Sequence, residues 1–161
     1  MITEIRQDVV DLWEGMRGPN GTLEGIKHHQ AGDENVLSDY FPAVTFEWDQ
    51  FSQLKYVGNR WEFRLRFAAT LYTASLKTLR EGAIDHINLV CRYESGKLRG
   101  LIPACAYLAQ GYETTSGQHF LISPLADSQS FAGKSKKHRH WSFKTVMLLE
   151  FQTWLNTSQV I

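Results

Sequence analysis

Residues 60–73 read RWEFRLRFAATLYT, and this stretch decides the fold. Trp61, Phe63, Leu65, Phe67, Ala69 and Leu71 fall on one parity. Glu62, Arg64, Arg66, Ala68, Thr70 and Tyr72 fall on the other. Side chains of a strand alternate between its two faces, so this is a strand with one face on a core and one polar, cationic face. The alternation holds for about twelve residues, where strands average five or six. At 3.3 Å per residue it runs about 40 Å and needs a partner of similar length. Residues 141–154 supply one. Trp141, Phe143, Thr145, Met147, Leu149 and Phe151 alternate there with Ser142, Lys144, Val146, Leu148 and Gln152. The two strands are expected to pair.

Upstream, Val44, Phe46 and Trp48 alternate with Thr45 and Glu47, which predicts a strand over Ala43–Trp48, introduced by Phe41-Pro42. Leu54–Val57 is read as a continuation, and Gly58-Asn59 as a tight hairpin turn. Ile2, Ile5, Val9, Leu12, Trp13 and Met16 recur every three or four residues, the spacing of an amphipathic helix over Ile2–Met16. Glu4 and Asp8 suit its positive end. A second helix is expected from an N-cap at Ser75 to about Arg92, with Leu76, Leu79, Ala83, Ile84, Ile87 and Val90 as its apolar stripe. Lys77 and Glu81 are placed as an outer i,i+4 pair.

Pro103 disfavours a central strand at that point. Cys105–Thr114 is read as a strand, Thr115-Ser116-Gly117 as a turn, and Gln118–Ser123 as the strand that pairs back, stopped by Pro124. Two polar stretches without a period, Arg17–Tyr40 and Ala126–His140, are expected to be long loops. The fold class is therefore α+β: a mostly antiparallel, twisted sheet with an N-terminal helix and a central helix packed on one face. The expected organisation is one domain over 1–161, with long loops at 17–40 and 126–140.

Composition narrows the function. Hydrophobic residues are 43% of 161, enough for a core in one ordinary domain. Seventeen basic residues balance seventeen acidic ones, which argues against broad electrostatic binding to nucleic acid or anionic lipid. No run of about eighteen apolar residues occurs, and Met1–Met16 lacks the apolar centre of a secretory signal. A soluble chain made in a cytoplasm is expected, with no membrane partner. Cys91 and Cys105 belong to no close pair and are read as reduced thiols, with a disulfide between them as the alternative.

The order of elements resembles the tail-terminator proteins of long-tailed bacteriophages. The pieces that carry the resemblance are the helix Ile2–Met16, the strand led by Phe41-Pro42-Ala43-Val44, the long strand Arg60–Thr73 running directly into the helix Ser75–Arg92, and the closing strand Trp141–Trp154. The resemblance spans nearly the whole chain as architecture, while its residue motifs are short. It implies a structural protein of the virion tail or neck, assembled in the host cytoplasm. Such a protein forms a homohexameric ring on the head-proximal end of the tail tube. The ring stops tube polymerisation and offers the neck, or head-completion, protein a docking surface. DNA passes through its lumen without sequence recognition. No bond is broken, so the resemblance implies no enzyme activity, catalytic residue, metal or cofactor.

Candidate contact residues come from charge. Arg64 and Arg66 meet either acidic groups of a neighbouring subunit or Glu62 and Glu150 within the chain. The basic run Lys134, Lys136, Lys137 and Arg139 lines the lumen, faces an acidic partner, or is a solvated loop. Asp33 and Glu34, with Asp39, lie on the other long loop and have the complementary sign. His138 and His140 share a strand face, but a third metal ligand of suitable spacing is missing. His86 is read as a boundary histidine rather than a base. Two other classes stay open: a small α+β enzyme or ligand-binding domain with an aromatic pocket using His86, His119 and Tyr112, and a nucleic-acid module using residues 134–140.

Overall fold

The structure, a computed structural model, describes residues 1–32, 38–134 and 140–156. Among these residues it is a mixed α+β fold with three α-helices and a curled sheet of mostly antiparallel strands. The sheet order is β1 (His28–Ala31), β2 (Ala43–Val57), β3 (Arg60–Ser75), β9 (Trp141–Asn156), β7 (His119–Pro124) and β6 (Tyr112–Glu113). Strand β8 (Gln129–Lys134) also pairs with β9. A small hairpin, β4 (Arg92–Glu94) and β5 (Lys97–Arg99), stands apart. The helices are α1 (Ile2–Glu14), α2 (Leu79–Val90) and α3 (Leu101–Leu108).

The expected pairing of the two long strands is present along their full length. β3 and β9 are antiparallel from Arg60 opposite Asn156 to Ser75 opposite Trp141. Leu65, Phe67, Ala69 and Leu71 therefore share a face with Phe151, Leu149, Met147 and Thr145. Phe46 stacks on Phe67 at 5.1 Å, and Phe151 sits 4.8 Å from Phe67. Ile5, Val9 and Trp13 of α1 close this core from above, with Trp13 edge-on to Phe46 at 5.5 Å.

β2 is one strand rather than two pieces. It pairs with β3 across its whole length, and its register shifts between Trp48 and Gln50 and again between Phe51 and Gln53. Each bulge adds one residue, which breaks the period of two in the sequence. Gly58 has φ +63° in the two-residue turn between Val57 and Arg60, a conformation that glycine adopts freely.

Several expectations change. α1 ends at Glu14, not Met16, and its Glu4 and Asp8 do more than suit the dipole. Asp8 accepts from Thr115 N, Thr115 Oγ1 and Tyr112 Oη, all at 3.0 Å, and Glu4 accepts from Ser116 N at 2.7 Å. These bonds pin the 114–117 turn to the helix. The stretch 17–40 is not all loop: His28–Ala31 forms the parallel strand β1 beside Ala43–Phe46. Its sequence has no strand period, and the pairing with β2 decides its conformation. Arg99, almost fully buried, donates to Glu24 at 2.7 Å and ties the same stretch to β5.

The second helix begins three residues later than Ser75 predicts. β3 continues through Ser75, and Thr78 caps α2 in a reciprocal box with Glu81. Glu81 is thus engaged at the cap, and Lys77 pairs with Asp85 at 2.9 Å instead. The helix ends at Val90, and Arg92 opens β4. The face it buries also differs. Gly82 and His86 are the buried positions, whereas Leu76, Leu79, Ile84 and Ile87 are exposed.

Residues 101–108 are helical, so the expected strand over Cys105–Thr114 shrinks to Tyr112–Glu113. Pro103 lies in the first turn of α3, where no intrahelical N–H bond is required of it. β7 takes in Pro124, its last residue. Within the expected loop 126–140, Gln129–Lys134 is strand β8, paired with Trp141–Val146. Its six residues are all exposed, so no alternation of burial marks it in sequence. Cys91 and Cys105 are both free thiols, and burial pushes Cys105 up to about 12.

Gly82 is where α2 touches the sheet. A Cβ there would lie 2.8 Å from Phe143 Cε2 and 2.9 Å from Ser75 Cβ. Alanine favours a helix interior over glycine by about 1 kcal/mol. The overpacking cost at a crowded site, about 1–3 kcal/mol, exceeds that gain. Gly82→Ala is therefore expected to lower stability in urea unfolding, against its helix propensity.

Candidate functional site

The long sheet has a covered half and a bare half. From Ala43 to Phe46, β2 is buried; from Trp48 onward its residues are exposed apart from half-buried Gln53. The two bulges place Trp48, Phe51, Leu54 and Tyr56 opposite Phe67, Leu65, Phe63 and Trp61. All eight thus lie on the face that, further along, forms the core. Beyond Leu65 the helices no longer cover it. Phe51 and Leu54 are 48% exposed and Tyr56 is 52% exposed. The rings support one another: Phe51 is edge-on to Phe63 at 6.2 Å, and Tyr56 leans on Trp61 at 4.9 Å. Among the described residues, the outer edge of β2 from Glu47 to Val57 has no strand partner. An aromatic face beside a bare strand edge is the kind of surface that another chain covers.

The opposite face of the same strands is charged, and its charges are paired within the chain. Arg64 reaches Glu150 at 3.5 Å. Arg66 lies 3.7 Å from Asp127 and 3.9 Å from Asp49, so its partners are not the expected Glu62 and Glu150. Glu62 instead pairs with Arg60 at 3.7 Å and accepts from Trp154 Nε1 at 3.2 Å. Arg60 also stacks over the Trp154 ring at 5.4 Å. Partly exposed pairs of this kind each contribute up to about 1 kcal/mol. Each arginine thus has an acidic partner within the chain, while Arg64 Nε and Arg66 Nε are buried without a hydrogen-bond partner among the described residues.

Lys134 ends β8 with its ammonium 5.6 Å from the Trp141 ring. Asp33, Glu34, Lys136, Lys137 and Arg139 lie outside the described residues, as does His138. The pairing of the two loops by opposite charge therefore falls outside them as well. Asp39 is exposed. No group of three metal-ligating side chains occurs among the described residues.

The histidines proposed for an enzyme site have other roles. His86 is buried on the core side of α2. Its Nδ1 is 2.6 Å from Thr73 Oγ1 and its Nε2 is 2.7 Å from Thr145 Oγ1. Ser130 Oγ extends the chain to Thr145 at 2.8 Å. Both ring nitrogens are thus used to fasten α2 to β3 and β9. A cleft of about 470 Å³ beside them is lined by Thr73, Ser75, Lys77, Asp85 and Leu89. A base there would have to give up one of its two hydroxyl partners. His119 is exposed, 3.6 Å from Glu113, and Tyr112 is held by Asp8; these two line one open cleft of about 360 Å³ with Phe120 and Trp154, while His86 borders a different one.

The aromatic face is not legible in the sequence periodicity. Its signal was present in Phe51, Leu54 and Tyr56, three large apolar residues in an otherwise polar stretch. The spacings of three hid their common face until the bulges were known. No protein-family model matches the chain, and no curated protein sequence matches it either.

Two buried histidines predict an acid response. Burial pushes His86 down to about 4; burial, with Arg17 and His28 adding positive charge, pushes His29 down to about 3. Unfolded, each takes up a proton below the ordinary 6.5, so the unfolded state binds more protons as the pH falls. Each contributes a loss of about 1.4 kcal/mol per pH unit once well below 6.5. Stability is expected to fall between pH 6.5 and pH 5. The slope in His86→Gln should be about half that of the wild type, read from urea midpoints across that range.

Proposed function

We propose that this chain is a virion structural protein of the tail-terminator kind. It assembles as a ring, with a hexamer as the expected form, on the head-proximal end of a tail tube. The ring ends tube growth and presents its other side to the neck or head-completion protein. DNA passes through the lumen without being read. The protein works by covering surfaces, not by breaking bonds, and requires no cofactor. It resides in the virion tail or neck after assembly in the host cytoplasm. The whole of residues 1–161 acts as one domain, with both long helices on the core face of the sheet so that the other surfaces are free for contacts.

The observation that supports this reading most is the bare aromatic half of the β2–β3 hairpin. A chain built to act alone has no use for half-exposed Phe51, Leu54 and Tyr56 beside an open strand edge, since both are liabilities in solution. A ring subunit covers them with its neighbour. The balance of basic and acidic residues supports the same reading, because identical neutral copies approach without net repulsion. The neutral charge also weighs against a nucleic-acid module. No helix among the described residues is long and apolar enough to cross a membrane.

Negative-stain imaging of purified protein, alone and with tail tubes polymerised from the tube protein of the same virion, tests this. Rings in solution and caps on tube ends, with tube growth arrested, are the expected result. A protein that stays monomeric and leaves tube length unchanged overturns the proposal.

A further inference from the structure

We infer that β1 is an acid-released strap: protonation of His29 frees His28–Ala31 from β2 while the rest of the sheet stays paired. The inference concerns the single chain and holds whether or not copies form rings.

The chain buries two histidines and treats them differently. Each ring nitrogen of His86 meets a threonine hydroxyl, whose oxygen can accept from an imidazolium as well as serve a neutral ring. His29 is 5% exposed, and neither its Nδ1 nor its Nε2 has a hydrogen-bond partner among the described residues. An imidazolium donates from both nitrogens, so a proton taken up by His29 in place finds neither acceptor nor solvent. The charged groups around it do not help. Arg17 donates to the Lys27 carbonyl at 2.9 Å and, like His28 on the same strand, adds positive charge beside the ring. Arg6 of α1 and Glu47 of β2 pair with each other at 3.1 Å beside Gly32, three residues further on, so that carboxylate is already engaged.

The strand is also built to leave alone. It has four residues and one neighbour, β2, in the sheet. At its ends Lys27 N donates to the Pro42 carbonyl at 2.9 Å and Gly32 N to the Phe46 carbonyl at 3.0 Å. The chain before it stays anchored, since Glu24 is held by Arg99 at 2.7 Å and Ile26 N by the Leu23 carbonyl at 3.2 Å. Short edge segments with few bonds open at lower free energy than a central ladder, here β3 with β9. Release lengthens the open edge of β2. With β1 in place that edge is bare from Glu47 to Val57; without β1 it is bare along all 15 residues, from Ala43 onward. Free N–H and C=O groups on an edge template pairing with another strand, so acid sets how much edge the molecule offers.

The proton count sets the direction. Released, His29 titrates at its ordinary 6.5; in place, burial holds it down to about 3. Between those values the open form binds one proton more than the closed form. Opening therefore grows about tenfold per pH unit well below 6.5, and about 30-fold from pH 7.5 to pH 5.

Native-state hydrogen exchange on the full chain, read as amide protection factors at pH 7.5 and pH 5, tests this. The amides of Lys27 and Gly32 are expected to be less protected than those of Phe67 and Ala69 at both pH values, and to lose about 30-fold protection on acidification. In His29→Phe that loss disappears. In His86→Gln it stays, because His86 acts on unfolding of the whole chain. Should His29→Phe fail to fold, the wild type and His86→Gln carry the comparison on their own. Lys27 and Gly32 amides that match Phe67 and Ala69 at both pH values overturn the strap, because they then open only with the whole chain. Protection that acid leaves unchanged also overturns it, as does an acid loss that persists in His29→Phe.

Discussion

The structure depends on the pairing of β3 with β9. Sixteen residues of each are matched from Arg60 opposite Asn156 to Ser75 opposite Trp141, a ladder about 50 Å long. The helices that shield its apolar side are shorter. α1 has 13 residues and α2 has 12, so each spans about 20 Å at 1.5 Å per residue. A sheet longer than its cover must leave part of its inner face bare. The bare part falls at the hairpin end, where the strands carry Phe51, Leu54, Tyr56 and Trp61 rather than polar substitutes. The mismatch in length is thus the physical origin of the half-exposed aromatic face.

Anchoring at the other end explains why the cover does not shift to meet it. α2 is held by contacts that tolerate little movement: a glycine pressed against Phe143 and Ser75, and a neutral histidine bonded to one threonine on each central strand. α1 is fixed by Trp13 in the core and by the two acidic side chains that grip the 114–117 turn. The buried polar groups of the His86 chain are satisfied by one another, so they specify position at little cost in desolvation.

What the sequence revealed follows from where burial is periodic. β3 and β9 were legible because one face of each meets the core and the other meets charge, residue after residue. β1 and β8 were not: the first takes its conformation from a neighbouring strand, and the second is exposed on every residue. α2 is a helix shorter than the sequence suggests, and of its expected stripe Ala83 and Val90 are half-buried while Leu79, Ile84 and Ile87 are exposed, because Gly82 and His86 form the contact with the sheet. α3 was missed because its eight residues, Leu101–Leu108, are too few to show a helical period and include a proline. The candidate site was half legible. Arg64 and Arg66 were correctly placed on the polar face, while the aromatic face was concealed by two single-residue bulges.

The central ladder also sets the order in which the molecule comes together. β2 and β3 are joined by two residues, and they meet as soon as they are made. The strand that completes them, β9, lies about half the chain length further on. Until it arrives, β3 has one open edge, and the apolar face of the hairpin lacks the cover of Leu149 and Phe151. Pairing over so long a loop is slow, and the unfinished hairpin is exposed to association throughout. A nascent chain of this design meets its siblings with the same apolar surface that stays half exposed once it has folded. Crowded synthesis on neighbouring ribosomes therefore becomes a hazard, and rapid completion of β9 becomes the safeguard.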